Sequence, residues 1–106
     1  MPKYLFEVDY TLDGVKGVIS KGGSARKVAA QATATSVGGK LEAFYFAFGG
    51  TDVYAIADLP DNAAAAGLAL AIAAGGGATV RTVVLLTPDE IDTAAQQKVK
   101  YSPPGS

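Results

Sequence analysis

The chain contains no cysteine and no histidine among its 106 residues. Without cysteine it can form neither a disulfide nor a thiolate nucleophile, and without both residues it can build no zinc site from nitrogen or sulfur ligands. The missing histidine also removes the usual general base near neutral pH. Any catalysis therefore falls to carboxylates, hydroxyls, lysine, arginine or a borrowed cofactor, and the sequence itself calls for no cofactor and no metal.

Charge is sparse and is not clustered. Nine basic and ten acidic residues are scattered along the chain and give a net charge of -1. Proteins that bind polyanions usually carry a cluster of basic residues, so nucleic acid is not an expected partner. The first residues lack the features of an export signal, and the most apolar stretch, residues 63–74, is too short to cross a membrane. We expect a cytoplasmic protein with no membrane partner.

Hydrophobic periodicity predicts four strands, over residues 3–10, 40–48, 52–59 and 78–86. Helices are predicted after Thr11, from a cap at Ser24 to a stop at Gly38 and Gly39, over residues 63–74 with Asp61 or Asn62 as the cap, and from a cap at Thr87 onward. A turn at residues 49–51 predicts that the second and third strands are antiparallel neighbours.

The order of these elements predicts an α+β chain with a ferredoxin-like βαββαβ arrangement, a four-stranded antiparallel sheet and an extra C-terminal helix. The length fits one domain over residues 1–100. Residues 101–106 contain two prolines and are predicted to form a flexible tail.

Strict alternation along the strands predicts which side chains share a face of the sheet. Small and aliphatic residues, with Tyr45 among them, are assigned to the face beneath the helices. Phe44, Phe46 and Tyr54 are assigned to the other face, whose margins are charged. Because one layer of helices covers only one face, the second apolar face predicts that two sheets stack in a homodimer, as a dimeric α+β barrel.

A candidate ligand-binding site follows from the residues assigned to that second face. The polar candidates lie among its aromatic side chains, and the full set is Glu7, Glu42, Phe44, Phe46, Asp52, Tyr54 and Arg81. Glu7 and Glu42 are the best candidates for proton transfer, although no catalytic residue can be assigned. The alternative is that the charged residues form rim salt bridges that fix the dimer register, with Asp52 accepting turn N–H groups.

A second candidate site lies at the start of the second helix. Gly23, Ser24 and Arg26 place a glycine turn, a hydroxyl and a guanidinium where free backbone N–H groups and the helix dipole favour an anion. The alternative is that Ser24 only caps the helix and that Arg26 is solvated.

Several segments resemble the small bacterial GYD domain family, whose function is not established. The similar segments are residues 2–6, 14–17, 22–26, 38–39, 44–49, 58–61 and 85–88. The resemblance implies membership of the wider group of dimeric α+β barrels. It also marks a departure, because the motif that gives the family its name has tyrosine where this chain has Thr51, between Gly50 and Asp52. A function carried by that phenol would be lost here.

Three functions from different classes remain open. The first is a binding or assembly module, a homodimer or higher oligomer that encloses a small apolar or anionic ligand between two sheets. The second is a cofactor-independent enzyme of the monooxygenase or isomerase type, which the resemblance suggests. The third is an anion or nucleotide sensor that uses the helix start at Ser24 and Arg26.

Overall fold

A computed structural model describes residues 1–105. The elements, in chain order, are β1 (Lys3–Tyr10), α1 (Leu12–Lys21), α2 (Gly23–Ser36), β2 (Lys40–Phe46), β3 (Val53–Asp58), α3 (Asn62–Ala74), β4 (Ala78–Leu85) and α4 (Pro88–Ala95). The described chain is therefore α+β, with a four-stranded antiparallel open sheet and four helices. The tail predicted over 101–106 includes Ser106, which lies outside the described residues. None of the helices within residues 1–105 combines the length and apolar character needed to cross a bilayer.

The sheet has the strand order β2-β3-β1-β4. β1 is central and antiparallel to both neighbours, so that Leu5 lies opposite Ile56 on one side and Val83 on the other. β2 and β3 are antiparallel neighbours as predicted, but residues 47–52 connect them, a longer loop than the predicted turn. β2 and β4 are consequently the two edges of the sheet.

One face of the sheet packs beneath α2 and α3 and forms the core. Its most buried side chains are Tyr4, Val53 and Leu59, all from the sheet or its end. The helices contribute small or single buried side chains, Ala34 from α2 and Ala65 with Leu68 from α3. Since these helices are rich in alanine, the sheet supplies most of the bulk that fills the core.

An irregularity in β2 reverses the predicted faces of Phe44 and Phe46. The pairing of β2 with β3 shifts between Leu41 and Ala43, which leaves Glu42 as an extra residue. A β-bulge of this kind moves every later side chain to the opposite face. Phe44 now pairs with Ala55 and packs against the core, and Phe46 pairs with Val53.

The same shift moves Ala43 and Tyr45, which were expected beneath the helices, to the opposite face. Tyr45 lies opposite Tyr54 in the ladder, and Ala43 lies opposite Ile56. Phe48, predicted within the strand, lies beyond its end in the loop and is fully exposed. The sequence prediction was therefore wrong about these five side chains.

Helix starts follow the capping chemistry of the sequence with one exception. Asp61 accepts the Ala64 N–H at the start of α3, and Thr87 forms a capping box with Glu90 at the start of α4. The prediction that Ser24 caps the second helix is wrong. The N-cap is Gly22, whose positive φ of 87° turns the chain between α1 and α2, and Ser24 lies inside the first turn with its side chain exposed.

Residues 87–105, here called the C-terminal arm, project from the rest of the molecule. All of them are exposed, including the apolar side chains of Ile91, Val99 and Tyr101. The radius of gyration of 16.8 Å exceeds the roughly 13 Å typical of a compact chain of this length. The arm therefore leaves its own apolar side chains uncovered.

Candidate ligand-binding face

The open face is the side of the sheet that points away from α2 and α3. Strand register arranges its side chains in rows that run across all four strands. One row is wholly apolar and consists of Ala43, Ile56, Leu5 and Val83. The adjacent row consists of Tyr45, Tyr54, Glu7 and Arg81. The open face thus has an apolar centre beside a row of two phenols, a carboxylate and a guanidinium.

Exposure on this face is high for apolar and aromatic side chains. Tyr45 is 71% exposed, and Tyr54 and Val83 are each 40% exposed. The exposed residues of α4 do not cover them, and α2 and α3 pack on the other side. Contiguous apolar surface of this kind marks interaction sites in soluble proteins.

Arg81 organises the polar end of the open face. Its Nη1 lies 3.1 Å from Asp9 Oδ2, and its Nε lies 3.8 Å from Glu7 Oε2. Its Nη2 donates a hydrogen bond of 3.0 Å to Thr51 Oγ1. These groups are partly solvated, so the ion pairs position the side chains more than they stabilise the fold.

Asp52 connects the loop before β3 to the end of β1. Its Oδ2 accepts the Tyr10 N–H at 2.9 Å, and its own N–H donates to the Val8 carbonyl at 3.0 Å. The structural role considered for Asp52 is thus present, although its carboxylate accepts a strand N–H and not one from the glycine turn. Occupied in this way, Asp52 is a poor candidate for direct ligand contact.

Glu42 belongs to a separate cluster at the opposite end of the face. Lys3 Nζ donates to Glu42 Oε1 at 2.8 Å and to Asp58 Oδ1 at 2.9 Å. The hydrogen bond that Lys3 donates to Glu42, and then the one that it donates to Asp58, raise the pKa of Lys3 above its ordinary value. Lys3 and Glu7 are four residues apart on β1, about 13 Å at ~3.3 Å per residue. The two carboxylates proposed for proton transfer therefore do not share one site.

One protein-family model matches most of the chain. The model of the GYD domain matches residues 4–95, which includes every strand of the sheet almost in full. The chain belongs to the GYD domain family. Searches among the curated proteins and among the solved structures found no significant match.

In this GYD domain, Thr51 occupies the place of the tyrosine in the family's motif. Its side chain is buried, with 6% of the residue exposed, and its hydroxyl accepts from Arg81. This hydrogen bond lets the Thr51 hydroxyl orient the Arg81 guanidinium. Thr51 is hence a positioning residue of the open face, a role that the sequence alone did not reveal.

The GYD domain brings together only part of the predicted ligand-binding set. Glu7, Tyr54 and Arg81 are neighbours in one row, while Glu42 lies at the far end and Asp52 serves the loop. Phe44 and Phe46 lie on the helix side. The structure adds Tyr45, Asp9 and Thr51, and only the pairing of Asp9 with Arg81 follows from strand alternation.

The three residues of the predicted anion site have separate surroundings in the structure. A Cβ on Gly23 would stand 2.9 Å from the ring of Phe46, so Gly23 allows α2 to approach β2. Ser24 is exposed and makes no capping hydrogen bond. Arg26 lines a crevice on the helix side of the sheet. Across residues 1–105, no three acidic side chains are grouped so that they could hold a metal ion.

Proposed function

We propose that this GYD domain is a homodimeric binding module whose open face packs on the open face of a second copy. The observation that carries the proposal is the exposed pair Tyr45 and Tyr54 beside a wholly apolar row. With the strand order β2-β3-β1-β4, two such sheets stacked face to face would make a dimeric α+β barrel of ferredoxin-like halves.

Hydrophobic burial supports this arrangement. Covering an exposed valine, leucine or isoleucine side chain is worth about 1.5 to 3 kcal/mol at full burial, and the apolar row offers several that are only partly covered. Four strands spaced about 4.8 Å apart and about seven residues long present a face of roughly 20 by 23 Å. That projection, roughly 460 Å², is below the ~800 Å² that one partner contributes to a standard interface.

The C-terminal arm can supply the remaining contact. Its apolar side chains Ile91, Val99 and Tyr101 are 50%, 76% and 72% exposed. In the proposed dimer each arm lies against the other subunit and extends the interface beyond the sheets. Both uncovered surfaces of the monomer are then covered by one assembly.

A small ligand would lie between the two stacked sheets. The tyrosine row places two phenol groups next to the Glu7 and Arg81 pair, so the enclosed space would be apolar with polar groups along one side. Aromatic side chains with a few convergent polar groups are typical of small-molecule sites. We therefore propose a largely apolar ligand with one polar group.

Charge insertion on the two sides of the sheet tests the dimer. Val83→Glu places a carboxylate in the apolar row, whereas Val28→Glu places one on α2, where Val28 is 63% exposed. In light scattering coupled to size exclusion, the parent chain and Val28→Glu should be dimeric and Val83→Glu monomeric. A parent chain that is monomeric at micromolar concentrations, or a dimer that survives Val83→Glu, contradicts the proposal.

Native mass spectrometry tests the ligand. The dimer purified from cells should retain a low-mass molecule that the Val83→Glu monomer has lost. A ligand-free dimer would leave assembly as the function and would remove the binding role.

A further inference from the structure

A crevice runs between the helices on the other side of the sheet, away from the open face. Its inner chamber, about 100 Å³, is walled by Phe6, Val8, Leu41, Phe44, Leu68 and Ile72. Its outer chamber, about 470 Å³, lies between α1, α2 and the end of α3. Tyr10, Arg26 and Thr33 line both chambers, so the two chambers are adjacent and share these side chains as a common boundary.

Charge in the crevice has a single sign. The charged side chains that line it are Arg26, at the junction of the chambers, and Lys21, in the outer chamber. Neither forms an ion pair with a carboxylate of residues 1–105, in contrast to Lys3 and Arg81. The crevice therefore presents two cationic side chains to an anionic ligand and, within the described part of the chain, no carboxylate that would repel the ligand lines it.

We infer that the crevice binds a linear alkyl carboxylate, with the chain in the inner chamber and the carboxylate between Arg26 and Lys21. A guanidinium presents a donor fork that matches a carboxylate, and a lysine adds a second charge. The inner chamber has apolar walls, and its volume, below the ~150 Å³ of a cavity that admits benzene, limits how much of the alkyl chain enters it. Tyr10 and Thr33 line both chambers, and the Thr33 hydroxyl donates to the Ala29 carbonyl of its own helix.

Glycines form part of the wall of the outer chamber. Gly14 and Gly77 approach so closely that a Cβ on Gly14 would collide with the Gly77 carbonyl, and both line this chamber. Gly17 also lines it, and no atom lies within 4 Å of the Cβ position there. The chamber is thus bounded by backbone and has room for a head group.

Octanoate is the probe that tests the site, followed by calorimetry and by amide shifts in NMR spectra. Arg26→Gln and Lys21→Gln should each weaken octanoate binding by about tenfold, the usual effect of losing one charged hydrogen bond. Lys27→Gln is the matched control, because Lys27 is exposed on α2 and does not line the crevice. Equal octanoate affinity in all three variants overturns the proposal.

Chain length and head group supply further tests. Affinity should rise about fourfold for each added methylene from butanoate to hexanoate, following the burial of one CH₂ group at a time. Octylamine and inorganic phosphate should not bind. Binding of phosphate as tight as that of octanoate would show a plain anion site and would overturn the role of the chain.

Filling the inner chamber with a larger side chain tests whether octanoate binds there and not on the open face. Ala30→Leu adds volume inside the inner chamber, whereas Ala32→Leu adds it on an exposed part of α2. Only Ala30→Leu should abolish octanoate binding, with no loss of thermal stability in either variant. The monomeric Val83→Glu variant should bind octanoate as the parent chain does, with shifts at Ala30, Thr33 and Ile72. Shifts confined to Tyr45 and Tyr54 would overturn the proposal.

Discussion

The two faces of the sheet are both apolar, but only one of them is covered by the chain itself. On the helix side, Tyr4, Val53 and Leu59 are almost completely buried. On the open face, Tyr45, Tyr54 and Val83 reach solvent. Because both faces carry large side chains of similar type, the difference lies in what covers them. The helix side is the core of one molecule, and the open face has the composition of an interface.

The two faces should differ in how the truncation of a side chain changes the free energy of unfolding. A truncation on the helix side should cost stability at every protein concentration, since its packing partners are in the same chain. A truncation on the open face should cost little in a monomer and more in a dimer, so that its effect grows with protein concentration. Matched substitutions on the two faces measure this difference.

The largest expected effect compares two leucines. Leu59 is 0% exposed on the helix side, whereas Leu5 is half-buried on the open face. Leu59→Ala should reduce the free energy of unfolding by about 2 to 5 kcal/mol at any protein concentration. Leu5→Ala should have a smaller effect that increases with concentration. Urea denaturation at two protein concentrations measures both, and equal, concentration-independent losses would remove the distinction between the faces.

A smaller effect compares two phenols. Tyr4 donates its hydroxyl hydrogen to Asn62 Oδ1 at 2.6 Å in a nearly buried position, whereas Tyr54 is partly exposed on the open face. Tyr4→Phe should lower the free energy of unfolding by about 1 kcal/mol, the usual net value of one hydrogen bond. Tyr54→Phe should leave it unchanged. A loss for Tyr54→Phe as large as for Tyr4→Phe would mean that the open-face phenol is already paired in solution.

Much of the scaffold could be predicted from the sequence. The bounds of β1, the cap at Thr87 and Asp61 as one of two candidate caps follow from alternation and local hydrogen bonding, and each is confirmed. These features depend on neighbouring residues only. The errors lie in the faces of β2, in the length of the loop that follows it and in the cap at Ser24.

The bulge at Glu42 was missed because strict alternation assigns Phe44 and Phe46 to one face without regard to what they pack against. The prediction matched small strand residues to alanine-rich helices, although two small surfaces leave space between them. Large rings from the sheet are needed there, and Phe44 supplies one. The spacing from Leu41 to Phe44, three residues and not two, was the signal that an extra residue intervenes.

The candidate site was less predictable than the fold. Glu7 and Arg81 were assigned to one face, and their pairing needs only the antiparallel register of β1 and β4. Tyr45 depended on the bulge, and Thr51 depends on how the loop of residues 47–52 returns to β3. The resemblance to the family had singled out Thr51, but loop conformation is not contained in local propensity, so its hydrogen bond with Arg81 could be found only from the structure.

The smallest expected effect concerns the pH dependence at the rim of the open face. Hydrogen bonds to Glu42 and then Asp58 raise the pKa of Lys3 above its ordinary value. The folded state therefore holds this proton more tightly than the unfolded state does. The resulting stability is fully present below the ordinary lysine pKa and is lost as the pH rises through the raised value.

Lys3→Met should abolish this pH dependence of stability. Lys27→Met is the control and should leave the dependence unchanged, because Lys27 is exposed on α2 and forms no ion pair among residues 1–105. The readout is the difference in unfolding free energy between parent chain and variant, measured by urea denaturation from about pH 9 to about pH 12. That difference should shrink with rising pH for Lys3→Met only. It should also be larger in the dimer than in the Val83→Glu monomer, because a covered rim excludes solvent from the ion pairs. A difference that stays constant across this pH range would show that Lys3 stabilises the fold through its alkyl chain and not through its charge.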